Sequence, residues 1–69
     1  MPLSLANMAT EYTVRKIGCD SEEKKRLENL GFVIGSQIMV INQNKGDIIV
    51  NVKDSRIAIS EETAQNIFV

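Results

Sequence analysis

Apolar residues fall along this chain in short alternating runs, interrupted once by a stretch of helical spacing. In Asp47-Ile48-Ile49-Val50-Asn51-Val52, the residues Ile48, Val50 and Val52 share one face, and Ile49, Asn51 and Lys53 share the other. A period of two is the mark of a half-buried strand. Gln37-Ile38-Met39-Val40-Ile41-Asn42 repeats the pattern, with Ile38 and Val40 toward the core and Met39 and Ile41 outward. Asn44-Lys45-Gly46 joins the two as a hairpin turn, with Gly46 free to take a positive φ. A second tight turn at Asp54-Ser55 leads into Arg56-Ile57-Ala58-Ile59, with Ile57 and Ile59 inward. Tyr12-Thr13-Val14-Arg15-Lys16-Ile17 is rich in strand formers, with Tyr12 and Val14 on one face. Ile17 breaks the alternation, and Gly18 suits a bulge. Pro2 to Met8 is apolar at alternate positions and is expected to start as a strand or a short turn packed on the core. Ile67-Phe68-Val69 closes the chain as a final short strand.

The helical stretch has its own punctuation. Asp20-Ser21-Glu22-Glu23 reads as a capping box: Asp20 accepts from the amide of Glu23, and Glu23 reaches back to the amide of Asp20. Two glutamates in the first turn suit the positive end of the helix dipole. Leu27 and Leu30 lie three apart on one face, Gly31 follows as a left-handed stop, and Phe32 can fold back on the last turn. These rules place a helix at Ser21 to Leu30. Ser60-Glu61-Glu62 caps a second, short helical turn that holds Ala64 against the core. The elements predict a mainly β protein with one full helix and about five short strands, bent into a small barrel.

Composition narrows the function classes. With 69 residues there is room for one domain, 1–69, and one core. A chain of this size buries only about 60% of its unfolded surface. Cys19 is the only cysteine, so no disulfide within the chain supports the fold. Eight basic and nine acidic residues give a net charge of −1, which argues against a nucleic-acid binder. No apolar run approaches the ~20 residues that span a bilayer, so no direct membrane insertion is expected. The N-terminus lacks the basic start and apolar core of a secretory signal, and a lone cysteine fits a reducing compartment. A cytoplasmic protein is the expectation.

Candidate chemistry is sparse. There is no histidine, and Cys19 has no second cysteine to share a soft-metal site. Asp20, Glu22 and Glu23 are explained by helix capping, as are Glu61 and Glu62. No metal ligand set, cofactor or catalytic residue is therefore assigned. Cys19 precedes a helix N-terminus that could lower its pKa. A half-buried structural thiol at the end of a strand is the role expected of it. Gly31-x-x-x-Gly35 lacks the Gly-Lys-Ser/Thr ending of a phosphate loop. Lys24-Lys25-Arg26 is the only basic cluster and reads as a solvated helix face, with Glu22 and Arg26 as an i,i+4 pair.

The order of these pieces resembles one family. Leu27-Glu28-Asn29-Leu30-Gly31-Phe32-Val33-Ile34-Gly35, with Gly35 opening the hairpin, is similar to the Leu-x-x-Leu-Gly-Phe-x-x-Gly pattern of FeoA proteins. So are the opening Leu3-Ser4-Leu5, the segment Ser55-Arg56-Ile57-Ala58-Ile59, and the ending Ala64-Gln65-Asn66-Ile67-Phe68-Val69. The chain departs from the family where Ile34, and not proline, precedes Gly35, and in its short hairpin loop. The resemblance implies an SH3-like barrel and a cytoplasmic accessory role in ferrous-iron uptake, as partner of the membrane transporter FeoB through its G domain or membrane core. The same module occurs fused to metal-dependent repressors, so a stand-alone metal- or peptide-sensing module is the alternative. Within the transporter reading, Met39, Ile41 and Ile49 are the candidate contact residues, with Lys24, Arg26 and Arg56 steering approach. Asp20, Glu23, Leu27, Leu30, Gly31, Gly35 and Gly46 are assigned structural roles.

Overall fold

The computed structural model describes all 69 residues. A short 3-10 turn, Leu3–Leu5, comes first. Then follow β1 (Glu11–Thr13), β2 (Lys16–Ile17), α1 (Ser21–Asn29), β3 (Gln37–Asn44), β4 (Asp47–Val52), β5 (Ser55–Ser60), α2 (Glu61–Ala64) and β6 (Ile67–Phe68). The strands form a four-stranded sheet in the order β1-β3-β4-β5 and a two-stranded sheet of β2 and β6, all antiparallel. The mainly β, SH3-like architecture expected from the sequence is present, with six strands in two sheets in place of about five in one barrel.

The extra strand arises because the segment expected as one strand at Tyr12 to Ile17 serves both sheets. Glu11 to Thr13 pairs with β3. Val14 then donates to the Ser36 carbonyl (2.9 Å) and accepts from Gly35 (2.8 Å), and the next amide, Arg15, donates to Phe68 in the other sheet (2.8 Å). Changing partner between Val14 and Arg15 rotates the chain, so Val14 and Ile17 are both buried although three residues apart. The broken alternation in the sequence is this corner, and Gly18 continues the new ladder by donating to Asn66 (2.7 Å).

α1 ends as its sequence predicts. The Phe32 amide donates to Leu27 (2.9 Å) and the Gly31 amide to Glu28 (3.0 Å), the paired bonds of a Schellman stop. Gly31 sits at φ 102°, and Leu27 and Phe32 are fully buried. The capping box forms only in half. Asp20 Oδ1 accepts from the Glu23 amide (2.9 Å), but the Glu23 carboxylate binds Arg26 instead of returning to Asp20. That i,i+3 pair also replaces the expected Glu22–Arg26 pair. Ser60 caps α2 through its bond from the Thr63 amide (3.1 Å).

Two hairpins build the large sheet. β3 and β4 turn through Lys45-Gly46, with Gly46 at φ 88°, and their register slips between Val40 and Asn42 so that Ile41 is the extra residue of a β-bulge. β4 and β5 turn one residue earlier than expected, through Lys53 and Asp54 at φ 48° and 64°. Both residues in the left-handed region make this the mirror turn that matches strand twist, which aspartate tolerates and lysine rarely adopts. The N-terminal segment packs with a period of three, not two: Leu3 and Ala6 are buried, and Leu5 is exposed. Fourteen apolar side chains form one core, from Leu3 at one end of the chain to Ile67 at the other.

A Cβ on Gly31 would touch Lys53 Cδ at 3.4 Å and Val52 Cγ2 at 3.5 Å, in a backbone conformation that L-residues resist. Gly31→Ala is expected to destabilise the domain by about 1 kcal/mol or more, read as a lower urea midpoint with an unchanged m-value. An unshifted midpoint would mean the left-handed stop does not limit stability.

Candidate functional site

The face of the large sheet turned away from the core carries a group of apolar residues that the core does not enclose. Strand register sets the arrangement. Glu11, Met39, Asn51 and Arg56 stand in one row across β1, β3, β4 and β5. In the next row Asn42 pairs with Ile49, and Ile49 with Ala58. Because the bulge adds a residue opposite β4, Ile41 comes to the same place. Met39 and Ile49 are half-buried, and Ile41 is 36% exposed. The third row, Asn44, Asp47 and Ser60, is polar. The face therefore has an apolar centre within a polar border, the usual anatomy of a protein contact. Glu11 and Arg56 place opposite charges at the two edges of the first row. Beside it opens a groove of about 500 Å³ lined by Glu11, Gln37, Met39, Asn51, Lys53 and Asp54 among others.

Four of the six contact residues named from sequence, Met39, Ile41, Ile49 and Arg56, meet on this face. Lys24 and Arg26 lie on α1, outside the sheet. Arg26 is held by the Glu23 carboxylate, whose hydrogen bonds and charge keep the guanidinium firmly protonated. Three of the most exposed large apolar residues were not singled out from sequence: Leu5 at 70%, Ile34 at 64% and Met8 at 54%. Met8 forms an isolated parallel bridge with Val40 on β3, next to the bulge. The Leu3/Ala6 spacing of three, the period of a 3-10 turn, was the signal that Leu5 faces outward. Ile34 has no such signal; it sits in the turn between α1 and β3.

A second concavity, of about 360 Å³, lies between the start of α1 and α2. Cys19, Asp20, Glu23, Glu62, Thr63 and Asn66 are among its lining residues. Asp20 is occupied as the α1 cap and Glu23 by Arg26, and no three His, Cys, Asp or Glu side chains converge to hold a metal ion. The Cys19 thiol is pushed above its ordinary pKa, first by burial, then by the charges of Glu23 and Asp20, with Arg26 opposing weakly. This shift runs opposite to any lowering by the helix N-terminus, first because the thiol is desolvated and then because the Glu23 and Asp20 carboxylates lie beside it. Cys19 is half-buried and packs against the core.

Comparison with known proteins gives this geometry a context. The FeoA domain family matches residues 1–69. A Methanocaldococcus jannaschii protein bearing the provisional name Fe(2+) transport protein A is 37% identical over 68 residues, which are 99% of this chain and 83% of that one. The solution structure of a Chlorobium tepidum FeoA protein superimposes with a TM-score of 0.90 at 26% identity, over 99% of this chain and 67% of the other. A Stenotrophomonas maltophilia FeoA complexed with zinc, described as a procaryotic SH3 domain protein, superimposes at 0.86 and 24% identity, over 100% and 88%. The fold extends beyond transport proteins: part of a manganese-dependent transcriptional repressor superimposes at 0.88 and 21% identity, over 100% of this chain and 40% of that one.

The raised thiol gives a measurable chemistry. Iodoacetamide should alkylate Cys19 in the folded protein more slowly at neutral pH than in concentrated urea. The pH profile of the folded rate should be displaced to the alkaline side. Because the folded state favours the neutral thiol, its contribution to stability is present at neutral pH and is lost as pH rises through the folded pKa. A profile displaced to the acid side would show that the helix field dominates.

Proposed function

The chain belongs to the FeoA domain family, and from that premise we propose that it is a non-catalytic, cytoplasmic accessory protein of ferrous-iron uptake, which binds a FeoB-type membrane transporter and modulates its assembly or its GTPase state. The observation that carries this reading is the outer sheet face, where Met39, Ile41 and Ile49 collect within a polar border. Met39 and Ile49 are already half-buried on a hydrogen-bonded sheet, so the backbone that carries them needs no ordering when a partner covers them. Arg56 at the edge of the face gives approach a direction, since rim charges act chiefly on association rate. Ferrous iron is the cargo of the transporter in this reading and needs no resident ligand set on this chain. No helix is long and apolar enough to cross a membrane, so the chain would act from one side of it. The raised pKa of Cys19 disfavours the thiolate that a nucleophilic mechanism requires.

The test is an NMR titration of the labelled protein with the soluble G domain of its cognate transporter, with and without guanine nucleotide. Shifts confined to β3, β4 and β5 are expected. Ile41→Glu, at an exposed bulge position, should weaken binding by ~10-fold or more while leaving the spectrum of a folded protein, as expected for an apolar contact at the centre of an interface. Ile49→Glu should do the same. Shifts that leave the outer face untouched would remove these residues from the contact. The shared repressor fold makes a metal-sensing module the competing reading. A saturable calorimetric isotherm with ferrous or manganous ion, and no response to the G domain, would favour it.

A further inference from the structure

β5 is an open edge. It is the last strand of the large sheet and pairs only with β4. The two-residue turn at Lys53-Asp54 fixes which of its backbone groups face outward. Val52 and Ser55 close the turn as a hydrogen-bonded pair, so Val50–Ile57 and Ile48–Ile59 are hydrogen-bonded pairs too. Arg56, Ala58 and Ser60 occupy the alternate pairs, and their amides point away from β4. The Glu61 amide confirms the phase, because it donates to Gly46 at 3.0 Å, one step further along the same ladder. The Ser60 carbonyl faces α2 as its cap residue. The amides of Arg56, Ala58 and Ser60 and the carbonyls of Arg56 and Ala58 have no partner off the ladder. Ile57 shows the same opening in its side chain: it points toward the core like Ile59, yet is only half-buried while Ile59 is 3% exposed.

Natural proteins blunt such edges with proline, bulges, inward charges or charged side chains along the edge. β5 has no proline, bulge or inward charge, and its single charge, Arg56, lies on the outer face. The sequence Ser55-Arg56-Ile57-Ala58-Ile59-Ser60 is also complementary to itself when turned about Ala58. In an antiparallel pairing centred there, Ala58 meets the partner's Ala58, Arg56 meets the partner's Ser60, and Ile57 meets the partner's Ile59. Every outward-facing amide then meets an outward-facing residue. Each Ser60 amide reaches an Arg56 carbonyl, and the two Ala58 residues exchange a pair of bonds. The two arginines are kept apart, and each comes beside the acidic start of the other copy's α2, where Glu61 and Glu62 are exposed. The small Ala58 side chains at the axis offer no obstacle.

We propose that β5 is a dimerisation edge: two copies of this chain pair β5 to β5 about Ala58, joining their large sheets into one continuous eight-stranded sheet. The association is weak, because it rests on few hydrogen bonds and on covering Ile57, and it leaves the outer face of each sheet open. It does not depend on the transporter reading, and neither fails with the other.

Sedimentation equilibrium of the full chain, with amide exchange followed residue by residue, tests it. Dimer should accumulate as concentration rises into the millimolar range, and exchange of the Ala58 amide should slow in parallel, while amides of the β1 edge are unaffected. Ala58→Lys places like charges opposite one another at the axis, and Ala58→Pro removes the central donor without touching a bond to β4. Each should weaken dimerisation by ~10-fold or more, and the Ala58→Lys protein should retain its fold by its NMR spectrum. Ala58→Thr, a strand former of neutral charge, should keep the dimer. A chain that stays monomeric at millimolar concentration overturns the proposal. So does a dimer that survives Ala58→Lys, or one in which the Ala58 amide exchanges at the monomer rate.

Discussion

Everything in this domain hangs on the change of partner between Val14 and Arg15. Two sheets of four and two strands would each be too small to bury an apolar face alone, and a two-stranded ribbon is scarcely stable in water. One continuous backbone, bonded to Ser36 and Gly35 on one side of that corner and to Phe68 and Asn66 on the other, forces the two to enclose a shared interior. Val14 and Ile17, on either side of the corner, both enter it. α1 then delivers Leu27, and the left-handed stop at Gly31 aims Phe32 at the same space. In a chain this short, a single core is the only one available, and each of these residues belongs to it.

Legibility in the sequence followed the range of the interaction responsible. The helix, its Asp20 cap and its Gly31 stop are decided within a few residues, and they were readable. The β3–β4 and β4–β5 pairings were readable because alternation names the core face of each strand. Four features were not. The corner at Val14 depends on a partner over fifty residues away, Phe68, and shows locally only as broken alternation. The bulge at Ile41 adds a residue without changing composition, so the period of two cannot reveal it. The turn at Lys53-Asp54 puts a lysine at positive φ, where strand twist outweighs the intrinsic preference of the residue. The return bond of the capping box was lost to a competing cation: Arg26, one turn on, presents a charged donor to Glu23, where the Asp20 amide offers a neutral one.

The candidate contact face was legible only in part for the same reason. Met39, Ile41 and Ile49 all follow from alternation; what alternation does not show is the bulge, which sets Asn42 opposite Ile49 and leaves Ile41 as the extra residue beside it. The bulge leaves Ile41 without a Cα partner on β4 and with 36% of its surface exposed. Lys24 and Arg26 share a helix and a charge sign with each other but no surface with that face, a separation that no local pattern records. Cys19 shows the converse: a position beside a helix N-terminus is quieted first by burial and then by the charges of Glu23 and Asp20.

The two ends of the chain are also hydrogen-bonded to each other. The Met1 ammonium donates to the Val69 carbonyl at 3.1 Å, the Val69 amide donates to Met1 at 2.8 Å, and Pro2 bridges Phe68. Termini are ordinarily where a small domain frays first, each independently of the other. Here neither end can loosen without unpairing the other, so the fraying of both becomes one cooperative event. In topological terms the backbone is a ring with a single cut. The cut lies beside the small sheet, where Pro2 bridges Phe68 of β6.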